Sequence, residues 1–194
     1  MQTKHQMIVS AEEQFAREVT LGVVVQQPLS AWLYVIPGMF IIDFLRRTTA
    51  ISRYTKYFMF PRRLAVEAAQ NLLSGYETAS VESKIVAEIE NWLKPIGLYS
   101  PRLASAQKLQ VDLLTAHYGK LLAADGANYY ELIENAYGAR ESYEDHLREV
   151  TAAEDKIDLE IMATAGENPK LKDKLELEKQ QVANRRQKIL DEIF

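Results

Sequence analysis

The chain has 194 residues, 47% apolar and 26% charged, with only eight Gly and six Pro, a balance that excludes wholesale disorder and favours long helices over a many-turned sheet. Cysteine is absent, which excludes disulfides, thiolate metal sites and cysteine nucleophiles. The net charge of −4 is unevenly spread: Arg46 to Arg63 carries six bases and no acid, whereas Gly126 to Phe194 carries 16 acids against 10 bases.

The N-terminus lacks the basic, apolar, small-residue succession of a cleavable signal, so a cytoplasmic location is expected. A first helix is predicted from Ser10 to Val25. Ser10 is its cap, Glu12 and Glu13 suit its positive first turn, and Phe15, Val19 and Val23 recur at helical spacing. Leu29 to Leu45 is strongly apolar and is split by Pro37-Gly38, a pair that breaks or bends a helix. A helix from about Phe40 to Phe60 follows, and Pro61 is expected to open another that ends near Gly75.

Ser80 or Glu82 opens the next helix, which ends near Lys94-Pro95. Ser100-Pro101 is a cap and first-position pair for a helix that Gly126 terminates. Asn128 caps one long helix, about Tyr129 to Ala165, whose stripe of Tyr143, Leu147, Val150, Glu154, Ile157 and Ile161 is apolar except at Glu154. Gly166-Glu167-Asn168-Pro169 is a stop and restart, and the short connection predicts that the last two helices form a long antiparallel hairpin. The expected fold is an all-α bundle of about six helices. It divides into residues 1–75 with the apolar hairpin and basic helix, 76–127 with the central helices, and 128–194 with the C-terminal hairpin.

Motifs for catalysis are missing. His5, His117 and His146 have no Glu three residues before them, and there is no Gly-rich phosphate loop or Gly-x-Ser-x-Gly elbow. No catalytic residue, metal or cofactor is assigned, and a non-enzymatic role is expected. One polar constellation stands out: His117, Tyr118, Asp125, Tyr129, Tyr130, Tyr137, Arg140, Tyr143 and His146. Periodicity favours core packing for most of these tyrosines, and the competing expectation is a small-molecule pocket around His117, Tyr118, Tyr137 and Arg140.

The apolar segment carries the leading expectation. Its nine Leu, Ile, Val and Phe residues favour membrane insertion by roughly 3–5 kcal/mol, while Asp43 alone opposes it by about 3 and Pro37 adds to that. A straight crossing is therefore not favoured, and a shallow re-entrant hairpin turning at Pro37 fits the pattern better. Trp32, Tyr34, Ile36, Pro37, Phe40, Ile41 and Phe44 would contact a membrane or partner. Arg46, Arg47, Arg53, Tyr54, Lys56 and Phe58 would supply a basic aromatic face for anionic headgroups.

Blocks along the chain resemble a family of uncharacterised small helical proteins from sulfate- and metal-reducing bacteria. They are Glu13-x-Phe15-Ala-Arg17, Pro28-Leu-Ser-x-Trp32 with Ile36-Pro37, the run from His117 through Gly126 to Tyr129 or Tyr130, Ala136-Tyr137-x-x-Arg140, and Glu192-Ile-Phe194. The resemblance implies a helical fold and no assigned activity. In those relatives the segment matching Leu29 to Leu45 is more apolar and aromatic, so Asp43 and Gly38 depart from it and weigh against deep insertion.

Three functions follow as expectations. The first is a membrane-apposed interaction or accessory-subunit protein, peripheral or monotopic on the cytoplasmic side of the inner membrane. It would contact the membrane surface or a membrane complex, and its C-terminal hairpin would be free for a protein partner or self-association. The second is a soluble cytoplasmic bundle with a ligand pocket, and the third is a structural subunit that buries its apolar segment against another chain. Nucleic acid is not an expected partner, because the basic run is short and the chain is acidic overall.

Overall fold

The computed structural model describes residues 3–25, 39–166 and 168–194. Among these it is all-helical, with seven helices and no strand: α1 Lys4–Val25, α2 Met39–Leu73, α3 Thr78–Leu93, α4 Pro101–Ala123, α5 Tyr129–Tyr137, α6 Arg140–Ala165 and α7 Pro169–Ile193.

Local chemistry sets several of the boundaries. Ser100 accepts a hydrogen bond from the Leu103 amide ahead of Pro101, and Asn128 accepts from the Tyr130 and Glu131 amides. Asn168 accepts from the Leu171 amide ahead of Pro169. Each satisfies orphan donors of a first helical turn. At Gly126 the chain approaches its own backbone, because a Cβ there would lie 2.8 Å from the Leu132 nitrogen.

Three expectations change. Helix α1 begins at Lys4, so Ser10, Glu12 and Glu13 lie inside it rather than at its start. The predicted long helix from Tyr129 is two helices, because Gly138 adopts a left-handed conformation (φ 70°) and its amide bonds to the Glu134 carbonyl. Ala139 then opens α6 without a side-chain cap. The reverse happens at Pro61, which lies inside α2 instead of opening a new helix. A proline there sacrifices a backbone hydrogen bond, at a cost of about 3 kcal/mol. Burial of Phe58, Met59, Leu64, Ala65 and Val66 on both sides of it holds the two halves together.

The core centres on α4, which packs against α1, α2, α3, α5 and α6. Accordingly α4 is buried on several faces rather than along one stripe, from Leu103 and Ala106 through Val111 and Leu114 to Tyr118 and Leu121. By contrast α3 buries only Val81, Ile85, Ile89 and Leu93, one residue per turn on one face, each contributing roughly 1.5–3 kcal/mol. One buried cluster draws on all seven helices, including Ile8, Leu64, Ile85, Leu114, Leu132, Val150 and Leu190. A second joins Phe15, Ala16 and Val19 of α1 to Phe58 and Met59 of α2 and to Val182 and Ile189 of α7.

Helix α7 returns alongside α6, bridged by Arg140–Asp191 (3.0 Å), Glu154–Arg186 (2.8 Å) and Asp155–Lys179 (2.7 Å). It also packs against α1 and α5, so it is held to the body of the molecule by more than its hairpin partner. No helix among the described residues is long and apolar enough to cross a membrane.

Candidate functional site

Where α1, α2, α6 and α7 converge, charged residues occupy positions that helical periodicity assigns to the core. Arg62 is only 4% exposed and Glu12 only 8%. Glu12 Oε2 accepts from Arg62 Nε at 3.0 Å, and Glu12 Oε1 accepts from the Tyr129 hydroxyl at 3.0 Å. Arg62 Nη1 donates to the Phe58 carbonyl, and the guanidinium lies 3.8 Å from the centroid of the Phe58 ring. Glu154 Oε1 is 3.7 Å from Arg62 Nη2, and Glu154 also accepts both Arg186 nitrogens, at 2.8 and 2.9 Å. Gln110 and Thr151 complete the hydrogen bonding at 3.3 and 2.8 Å. Two guanidinium and two carboxylate groups thus neutralise one another in a place where a lone charge would be costly.

This ionic chain separates two cavities, since Arg62 and Arg186 line both. The smaller has a volume of about 260 Å³. His117 and His146 also line it, stacked with ring centroids 4.5 Å apart and an interplanar angle of 13°. Tyr129, Tyr130, Tyr143 and Phe15 supply further aromatic wall. His117 Nδ1 lies 2.7 Å from the Tyr137 hydroxyl. Burial, reinforced by His146 and Lys120, holds His117 well below the ordinary histidine range. Burial and the nearby Arg186 lower His146 to about 4. Both imidazoles are therefore neutral near pH 7, as is Tyr143, whose burial pushes it far above the ordinary phenol value. Neutral imidazoles offer the cavity hydrogen bonds and ring faces.

The four residues expected to line a ligand pocket separate in space. His117 lines the cavity, and Tyr137 stands behind it as a hydrogen-bond partner. Tyr118 is fully buried, and its hydroxyl has no hydrogen-bond partner among the described residues. Arg140 lies outside, paired with Glu144 and Asp191. Glu12, Arg62, Arg185 and Arg186 line the cavity but were not singled out from the sequence. The available signal was a charge at a core-facing position, as at Glu154 within the apolar stripe of α6.

Of the residues expected at a membrane, Trp32, Tyr34, Ile36 and Pro37 lie outside the described residues. Phe40, Ile41, Phe44, Arg46 and Arg47 fall in the N-terminal turns of α2, without described side chains. Arg53 and Lys56 are exposed. Phe58 is buried under Arg62, and the Tyr54 hydroxyl points inward and donates to Glu178 of α7. Tyr54 and Phe58 therefore do not share an outward aromatic face. Arg62 and Arg63 of the basic run pair with Glu12 and Glu13 of α1.

Among the described residues, no group of three or more metal-ligating side chains could hold a metal ion. Comparison with family models, with curated proteins and with solved structures finds no match to this chain.

Proposed function

We propose that this protein is a small-molecule-binding helical bundle whose ligand occupies the cavity between the His117–His146 stack and Arg186. The observation that carries the proposal is the placing of two neutral imidazoles beside Glu12, Arg62, Arg185 and Arg186, all ion-paired, around about 260 Å³ of space. A core that needed only packing would be filled by apolar side chains, without the desolvation cost of burying the Glu12–Arg62 pair. Because each arginine of the wall is already paired, Arg62 with Glu12, Arg185 with Glu18 and Arg186 with Glu154, the fitting ligand is neutral. Because the surfaces are ring faces edged with hydroxyl, imidazole and guanidinium groups, it is planar and hydrogen-bonding, with one or two fused rings.

Calorimetric titration of the full chain with nicotinamide, adenine and indole tests the proposal. At least one is expected to bind in the micromolar range, with affinity about tenfold lower in both His146→Ala and His146→Gln while the far-ultraviolet circular dichroism is unchanged. Absence of binding by all three at millimolar concentration, or binding indifferent to both substitutions, would sink it.

Membrane apposition is a second proposal, supported by the exposure of Arg53 and Lys56 on the same helix. Flotation with vesicles containing 30% anionic lipid (about 1 kcal/mol expected per base near the surface) should be lost on joint replacement of Arg53 and Lys56 by Glu. Flotation that survives the double substitution would remove this electrostatic contribution.

A further inference from the structure

The larger cavity, about 530 Å³, lies on the other side of Arg62 and Arg186 and has a different chemistry. Much of its wall is apolar, formed by side chains such as Trp92, Leu98, Leu103, Ile157, Leu171 and Leu175. The α6–α7 side carries four carboxylates: Glu154, Asp155, Asp158 and Glu178. Their partners are unequal. Glu154 is held by Arg186 and Asp155 pairs with Lys179 at 2.7 Å. Glu178 accepts only from the Tyr54 hydroxyl among the described residues. Asp158 has neither a hydrogen bond nor an ion pair among them. Gln107 Oε1, another acceptor on this wall, is buried and also accepts no hydrogen bond.

Unsatisfied groups here are thus acceptors, and the charge facing the cavity from Asp158 and Glu178 has no matching cation. A buried acceptor without a donor is costly, and half-buried carboxylates without cations are costly too. The electrostatics agree: burial, and next the neighbouring Glu178, raise Asp158 to about 7, while burial raises Glu178 as well. An anionic ligand would meet this wall unfavourably, and a purely apolar one would leave the acceptors unsatisfied.

We infer that this cavity binds an amphipathic organic cation, a protonated amine on an apolar body. Its ammonium group is held by Asp158 and Glu178, and its body lies along Trp92, Leu103 and Ile157. The site is independent of the His117–His146 cavity, so either can fail without the other.

The experiment is calorimetric titration of the full chain with 4-phenylbutylamine, beside 4-phenylbutanol and 4-phenylbutyrate, at pH 6 and pH 8. The amine is expected to bind at least about tenfold more tightly than the alcohol, and the carboxylate weakest. Its affinity should rise from pH 6 to pH 8 as Asp158 ionises among Glu154, Asp155, Glu178, Tyr54, Lys179, Arg62 and Arg186. Asp158→Asn, which removes an unpaired, half-buried charge and so does not threaten folding, should weaken the amine about tenfold and leave the alcohol unchanged. Equal binding of amine and alcohol, amine binding untouched by Asp158→Asn, or no amine binding at millimolar concentration would each overturn the assignment.

Discussion

Glu12 shows how much can rest on one side chain. It receives Arg62 and Tyr129 on its two oxygens, and both it and Arg62 are almost fully buried. Glu12→Gln keeps the shape but removes the charge that balances Arg62, leaving Glu154 at 3.7 Å as its remaining counter-ion. Breaking a buried pair in this way costs about 3 kcal/mol, and a chain of this length should lose roughly 6–12 °C in Tm by calorimetry. A shift under 2 °C would mean that water reaches the pair. The sequence placed Glu12 in a helix first turn, suited to the macrodipole, and gave no sign that its carboxylate is an internal counter-ion. A 50-residue separation from Arg62 leaves no periodic trace.

Among elements, the ones with their own chemical punctuation were legible. Asn128 was expected as a cap and makes two hydrogen bonds to following amides. Asn128→Ala should therefore cost about 1 kcal/mol, a fall of roughly 2–4 °C in Tm. An unchanged Tm would show that the α4–α5 turn is held by Gly126 and by the Asn135 side chain on the Asp125 carbonyl instead. Besides the start of α1, the misjudged boundaries were Pro61 and Gly138. Each residue type has two common uses, proline opening or interrupting a helix and glycine sitting within or ending one. The local sequence does not choose between them. At Pro61 burial on both flanks chose continuity, and at Gly138 a left-handed backbone chose a break.

At the scale of the whole molecule, stability should depend on pH through opposing groups. The buried His117 and His146 have folded-state pKa values below the ordinary 6.5, so the unfolded chain binds more protons. Their contribution is complete above about 6.5 and is lost as pH falls toward 4. Asp158 works in the other direction. Its folded value of about 7 lies above the ordinary 3.8, so its stabilisation is present below 3.8 and is lost as pH rises through 7. Relative to the parent chain, Asp158→Asn should be more stable at pH 8 and no more stable at pH 4, as read by chemical denaturation. A difference of the same size at both pH values would show that Asp158 is not an unpaired acid partly withdrawn from water.

The sequence by itself determined the helical class, the absence of thiol chemistry, the caps at Ser100, Asn128 and Asn168, and the apolar faces of individual helices. All of these depend on residues within one or two turns of each other. Only the tertiary structure decided that Arg62 faces inward, that Tyr54 turns to Glu178, that Arg140 stays outside, and that His117 and His146 stack beside Arg186. Each of these is a contact between helices, joining residues 29 to 124 positions apart. Their energies depend on how far packing excludes water, which no local pattern records.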